Sequence, residues 1–128
     1  MAVDGVATPD DLEGYTRRLA AVLGDDLTAY VAGADSIGQL GTWVSSRDVT
    51  VRQRVLRRLV AAGDVIRIFS ADNLLSFARP WLREVGPAGQ PAPARLLRRH
   101  GEDHRAVKHV LHSATEWVGE RRHAPITV

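Results

Sequence analysis

Cysteine is absent from the 128 residues, which removes disulfides, thiolate metal sites and cysteine nucleophiles. Lysine is nearly absent as well: sixteen arginines stand beside the single Lys108, a bias that suits a GC-rich bacterial genome. No apolar run approaches the roughly 20 residues of a membrane span, so no membrane partner is expected. The acidic amino-terminal stretch does not read as a signal peptide, and the expected location is the cytoplasm. Phosphate-cradling glycine loops, a GxSxG elbow and dinucleotide fingerprints are missing too, so neither a cofactor nor enzyme activity is expected. Finally, no stretch alternates apolar and polar residues as a half-buried strand would.

What is present is helical periodicity and an uneven charge. Residues 1–48 hold eight acids and three bases, net −5, whereas residues 49–99 hold ten bases and three acids, net +7. A basic middle of this kind suits an anionic partner or a solvated arginine-rich helix surface. The central stretch, Val49 to Phe69, places Val51, Val55, Leu59, Ala62, Ile66 and Phe69 on one helical stripe. Leu56, Val60 and Ile68 form a second line, so the helix is expected to pack on two sides as a spine.

Before the spine, Thr8-Pro9-Asp10-Asp11 reads as a helix start, followed by Leu12, Tyr15, Leu19, Val22 and Leu23 and a stop at Gly24. Asp25 or Asp26 is expected to cap a second helix ending at Gly33. A third runs from about Ser36 to Ser45, with Ile37, Leu40 and Trp43 inward. After the spine, Ser70 or Asp72 is expected to cap a helix with Leu74, Leu75, Phe77 and Trp81 or Leu82 inside, kinked or ended by Pro80. The segment Val85 to Pro93, with three prolines and two glycines, is expected to be a defined surface loop. A short helix from Ala94 to Arg99 and a last one from about Glu102 to Gly119 complete the chain. The expected fold is all-α: a helix-turn-helix-like N-terminal lobe and a small helical C-terminal lobe joined by a long central helix. The expected divisions are 8–69, 70–119 and a loose tail, 120–128.

Two features bear on function. Asp25 to Ser46 has the helix–tight turn–helix order of a DNA-binding motif, with Ala29 four before Gly33. In that reading Ser36, Gln39, Thr42 and Ser46, with Arg47, face bases and phosphates, and Arg52, Arg54, Arg57 and Arg58 add phosphate contacts. Against it stand the net acidity of this half and the helix-weakening Gly38 and Gly41. The second feature is the spacing of His100 with His104 and of His109 with His112, which suits metal ligands on a helix. HGEDH is nonetheless not HExxH, and His109 and His112 lie opposite the apolar stripe on a polar face, so no metal is expected.

The order of these parts resembles the Xre/MbcA/ParS antitoxin family. Residues 31–59, VAGADSIGQLGTWVSSRDVTVRQRVLRRL, look like its degenerate helix-turn-helix. Residues 79–118 are similar to its C-terminal toxin-binding domain, through Trp81-Leu82, Pro87, Pro93-Ala94-Arg95-Leu96-Leu97 and Ala114 to Val118. Gly86-Pro87 stands where the family often has Asn-Pro, and its later glycine element is reduced to Gly89. The resemblance implies an antitoxin that occludes a cognate RES-domain toxin, an enzyme acting on NAD, in a complex that often represses its own promoter through operator DNA. A homodimer is expected because helix-turn-helix proteins usually read paired half-sites. It also implies that Trp81, Pro87, Gly89, Pro93, Arg95, Arg98 and Arg99 face the toxin. Trp81, Leu96 and Leu97 would equally serve to close a helical core. A transcriptional regulator with no toxin is the alternative.

Overall fold

The computed structural model describes residues 11–123. Seven α-helices occur there and no strand: α1 (Leu12–Leu23), α2 (Asp25–Val31), α3 (Ile37–Val44), α4 (Val49–Ala71), α5 (Ala78–Arg83), α6 (Pro93–His100) and α7 (His104–His123). The all-α expectation holds. None of these helices is long and apolar enough to cross a membrane. The helix start at Thr8 and Pro9, and the tail beyond His123, lie outside the described residues.

The 23-residue α4 is the axis of the molecule. Its stripe of Val55, Leu59, Ala62, Ile66 and Phe69 is buried, and Leu56, Ala61 and Val65 bury a second side. The two sides are taken by α1 and α3 and, most extensively, by α7. One apolar cluster runs through all seven helices, from Leu12 and Leu19 through Leu59 and Phe69 to Leu97 and Val118. The packing of α2 on α6 joins residues from either side of position 70 directly.

Turn chemistry explains where helices stop. At the end of α2, the Gly33 N–H donates to the Tyr30 carbonyl and the Ala34 N–H to the Ala29 carbonyl, both at 3.0 Å. That paired closure needs a left-handed residue after the C-cap, and Gly33 supplies it with φ +87°. Asn73 does the same after α4 with φ +57°, its N–H donating to the Ser70 carbonyl and that of Leu74 to the Phe69 carbonyl. This corrects the expectation that Ser70 or Asp72 starts a helix: Ser70 lies within α4 and Asp72 is its C-cap. The next helix begins only at Ala78, after a short 3₁₀ turn over Leu75–Phe77. Pro80 therefore falls in the first turn of α5, where a missing N–H disrupts no helical hydrogen bond.

Other expectations are also corrected. Gly24, rather than Asp25 or Asp26, is the N-cap of α2. Ile37 is half exposed at 50 %, because the inward line of α3 is Leu40 and Val44 and Ile37 opens the helix over the groove beside α1. Phe77 is 45 % exposed, since the 3₁₀ turn carries it outward. The last helix continues past Gly119 to His123.

Tyr15 is a polar point in this core. It is only 4 % exposed, and its hydroxyl donates to the Leu59 carbonyl across a long 3.5 Å. Burial pushes its pKa above the usual tyrosine value, partly opposed by Arg67 and Arg18. A raised folded-state pKa means stability is retained below pH ~10 and lost as pH rises through the folded value. Replacing Tyr15 with phenylalanine is expected to cost at most about 1 kcal/mol at neutral pH. The variant is also expected to lose less stability above pH ~10, measured by urea melts across pH 7 to 11.

Candidate functional site

The loop from Val85 to Ala92 is built by its sequence. The Gly86 N–H donates to the Gln90 carbonyl at 2.9 Å, closing the loop on itself. Inside it a 3₁₀ turn over Pro87–Gly89 carries Ala88 at φ +58° and Gly89 at φ +75°. A left-handed alanine costs about 1 kcal/mol or more, so this shape is imposed by the loop's closure and prolines. Pro93 then opens α6 at its first turn, where no N–H is needed.

Under this loop lies a groove of about 490 Å³ between α5, α6 and α7. Trp81, Val85, Pro91, Pro93 and Leu96 form one side and Val110 and Trp117 the other, with His109 and Glu84 among the polar groups at its edge. Val85 is 66 % exposed, so its apolar surface is offered to whatever enters. The floor is rigid: Phe69 packs on both Trp81 and Trp117 with ring centroids 5.4 Å apart in each pair. Of the residues expected to face a partner, Trp81 and Pro93 line this groove, Pro87 opens the turn and Gly89 sits exposed on it. Trp81 is itself 7 % exposed, so it serves core and groove together.

The arginines divide differently. Arg98 is turned inward upon the chain: it donates to the Tyr30 carbonyl at 3.0 Å and to the Ala34 carbonyl at 2.8 Å. It also meets Asp35 Oδ1 at 2.9 Å and lies over the Tyr30 ring, 4.8 Å from its centroid. Its donors thus close the C-terminal end of α2, and the side chain joins α6 to the α2–α3 turn. Arg58 of α4 does the corresponding work at the end of α6, donating to the Leu97 and Arg98 carbonyls and to Glu102. Neither clamp was legible in the spacing of the arginines. Arg99 is exposed and without a side-chain partner among the described residues, whereas Arg95 faces a separate cleft against α2.

On α3, the residues expected to read DNA are largely engaged in holding the helix. Ser36 Oγ accepts from the Gln39 N–H at 3.0 Å, and Gln39 Oε1 accepts from the Asp35 N–H at 2.7 Å. This is a variant of the S-x-x-Q capping box, in which Gln39 reaches back past the N-cap Ser36 to the N–H of the residue before it. The Thr42 hydroxyl donates to the Gly38 carbonyl at 3.1 Å. Arg52 donates to the Ser46 carbonyl, and Arg54 stands 3.5 Å from Glu102, which Arg57 and Arg58 share at 3.9 and 3.3 Å. Of these nine candidates only Arg47 has no side-chain hydrogen bond or ion pair among the described residues, since Ser46 Oγ accepts from the Asp48 N–H at 3.1 Å.

Searches against protein-family models, characterised proteins and solved structures find no match. Among the described residues no three histidine or acidic groups converge on a point that would hold a metal ion. His112 Nε2 instead lies 2.8 Å from Glu116 Oε1 one helical turn on, and His109 borders the groove. What the C-terminal half offers is a preformed apolar groove with a stiff rim. The α2–turn–α3 half offers a well-capped helix pair whose polar atoms are mostly satisfied internally.

Proposed function

We propose that this chain is an antitoxin-like binding protein that occludes a cognate toxin, of the RES-domain type by resemblance, through the groove beneath the Val85–Ala92 loop. The observation that carries the reading is that groove: apolar and aromatic walls, an exposed Val85, and a loop closed by its own hydrogen bond. A site that is ordered before binding loses less entropy when occupied, and aromatic groups at the centre of a pocket dominate binding energy. A small apolar pocket for a metabolite would have the same chemistry, but this one is an open trough along α7, the form in which a protein segment docks.

The test is co-expression with the products of the flanking genes, followed by affinity purification and sizing, with growth as the readout of toxicity. A partner that is toxic alone, silent with this chain and retained on purification would support the reading. Val85→Asp should leave folding within about 0.5 kcal/mol, since the side chain is mostly solvated, and should weaken retention roughly tenfold or more. If no neighbour is toxic and none co-purifies, toxin binding fails.

A DNA-binding regulator without a toxin is the second reading, favoured by the glycine turn between α2 and α3 and by the unpaired Arg47 in the turn between α3 and α4. Promoter autoregulation would draw on the same elements and on a homodimer reading two half-sites. Retention on the chain's own promoter fragment, falling steeply with salt and lost in Arg47→Ala, would favour it.

A further inference from the structure

We infer that the cleft between α2, α5 and α6 is a carboxylate-binding site that receives an acidic segment of the partner protein. This deepens, and rests on, the partner-binding reading of the neighbouring groove. Arg79 and Arg83 stand one turn apart on α5, and Arg95 joins them from the first turn of α6. Asp26 and Tyr30 of α2 form the facing wall, over a floor that includes Leu27 and Ala94. The cleft measures about 380 Å³.

Three guanidiniums meet here with one carboxylate, and none of the three has an ion pair or side-chain hydrogen bond among the described residues. Arg47 and Arg99 are likewise exposed and unpaired among the described residues, whereas several other arginines are paired. Arg54, Arg57 and Arg58 share Glu102, Arg67 meets Asp64, and Arg98 meets Asp35. Like charges four apart on a helix repel each other, and an arriving anion would relieve that repulsion. A concave site with apolar walls also concentrates the field that a carboxylate feels. Guanidinium forks match carboxylates two bonds at a time, which a lysine would not do.

Position decides between a protein segment and a small free anion. Ala92 lines this cleft while Pro91 and Pro93, its neighbours, line the apolar groove. A segment crossing the chain at residues 91–93 would meet apolar walls on one side and arginines on the other. The arginines are also spread along one turn of α5, about 5–6 Å, which suits successive acidic side chains better than one compact ion.

The test is an NMR titration of the full-length chain at low ionic strength with hexaglutamate peptide, hexaglutamine peptide and inorganic pyrophosphate. Hexaglutamate is expected to shift the amides of Arg79, Arg83, Ala94 and Arg95, and hexaglutamine to shift none of them. Combining Arg83→Glu with Arg95→Glu should weaken hexaglutamate binding about tenfold or more with an unchanged thermal melt, whereas Arg47→Glu should not. Shifts centred on Arg54, Arg57 or α7, or equal binding by the double variant, would overturn the assignment. Pyrophosphate binding without hexaglutamate binding would overturn it in favour of a small-anion site. With a co-purified partner in hand, the double variant should bind it more weakly and with a flatter salt dependence. Unchanged affinity and salt dependence would remove the acidic segment and leave the partner reading standing. Should no partner emerge, the peptide titration still decides the chemistry of the cleft.

Discussion

Replacing Phe69 with alanine is expected to destabilise the chain by about 3–5 kcal/mol, a large share of what a domain of this size has. Phe69 is fully buried near the end of α4, where its ring touches Trp81 of α5 and Trp117 of α7. Removing it leaves a cavity bounded by two indoles, of which Trp117 is also held by Phe77 and Arg121, so collapse can recover only part of the lost contacts. Each lost aromatic pair adds about 0.5–1.5 kcal/mol beyond area burial. The measurement is urea unfolding followed by tryptophan fluorescence, with Phe69→Leu as the comparison expected to lose much less. Because Trp81 and Trp117 also line the groove, the same variant should loosen the partner site where native structure survives. A loss under 1 kcal/mol would mean that the three rings do not share one rigid arrangement.

The same residue shows what the sequence made legible. The interval of three and four from Val55 to Phe69 identifies the buried stripe of α4, because burial and helical period coincide along a 23-residue element. Gly33 and Pro93 were legible for a similar reason: each has a conformational property that few positions can use, and each stands at a helix boundary. Asn73 has the same left-handed role as Gly33 but is a common polar residue, so the true end of α4 was hidden behind the capping chemistry of Ser70 and Asp72.

The candidate site was only partly legible. Trp81, Pro93 and the proline loop fall together because they are close in sequence and share one function of shape. The arginines did not sort themselves, since a guanidinium on a helix looks the same whether it meets solvent, a carbonyl or a partner. Arg98 and Arg58 find carbonyls 64 and 39 residues away, pairings set by how α6 packs on α2 and α4. Arg79, Arg83 and Arg95 are brought to one cleft by the same packing. Such convergence depends on tertiary contacts, and local pattern does not encode it.

Substituting Gly101 with alanine is expected to cost about 1–3 kcal/mol, although its backbone is an ordinary helical one with φ −65°. The reason is space. A Cβ there would lie 2.4 Å from the Leu97 carbonyl oxygen and 2.9 Å from Arg58 Cγ. The carbonyl is backbone and cannot rotate away, and Arg58 is held by the Leu97 and Arg98 carbonyls and by Glu102. On its far side the guanidinium passes Gly33, whose Cβ position would be 3.7 Å from Nη1. Arg58 thus passes between two glycines, one in the α2–α3 turn and one after α6, and its hydrogen bonds tie the α6–α7 turn to the spine. The alanine must therefore displace the α6–α7 turn, the clamp or both, and its effect should be non-additive with Arg58→Ala in a double-mutant cycle. Gly41→Ala is the matched control with the opposite sign: nothing lies within 4 Å of its Cβ position on exposed α3. There alanine should stabilise by about 0.5–1 kcal/mol through helix propensity alone. If the two substitutions moved the thermal midpoint in the same direction, close approach would not be what keeps residue 101 a glycine.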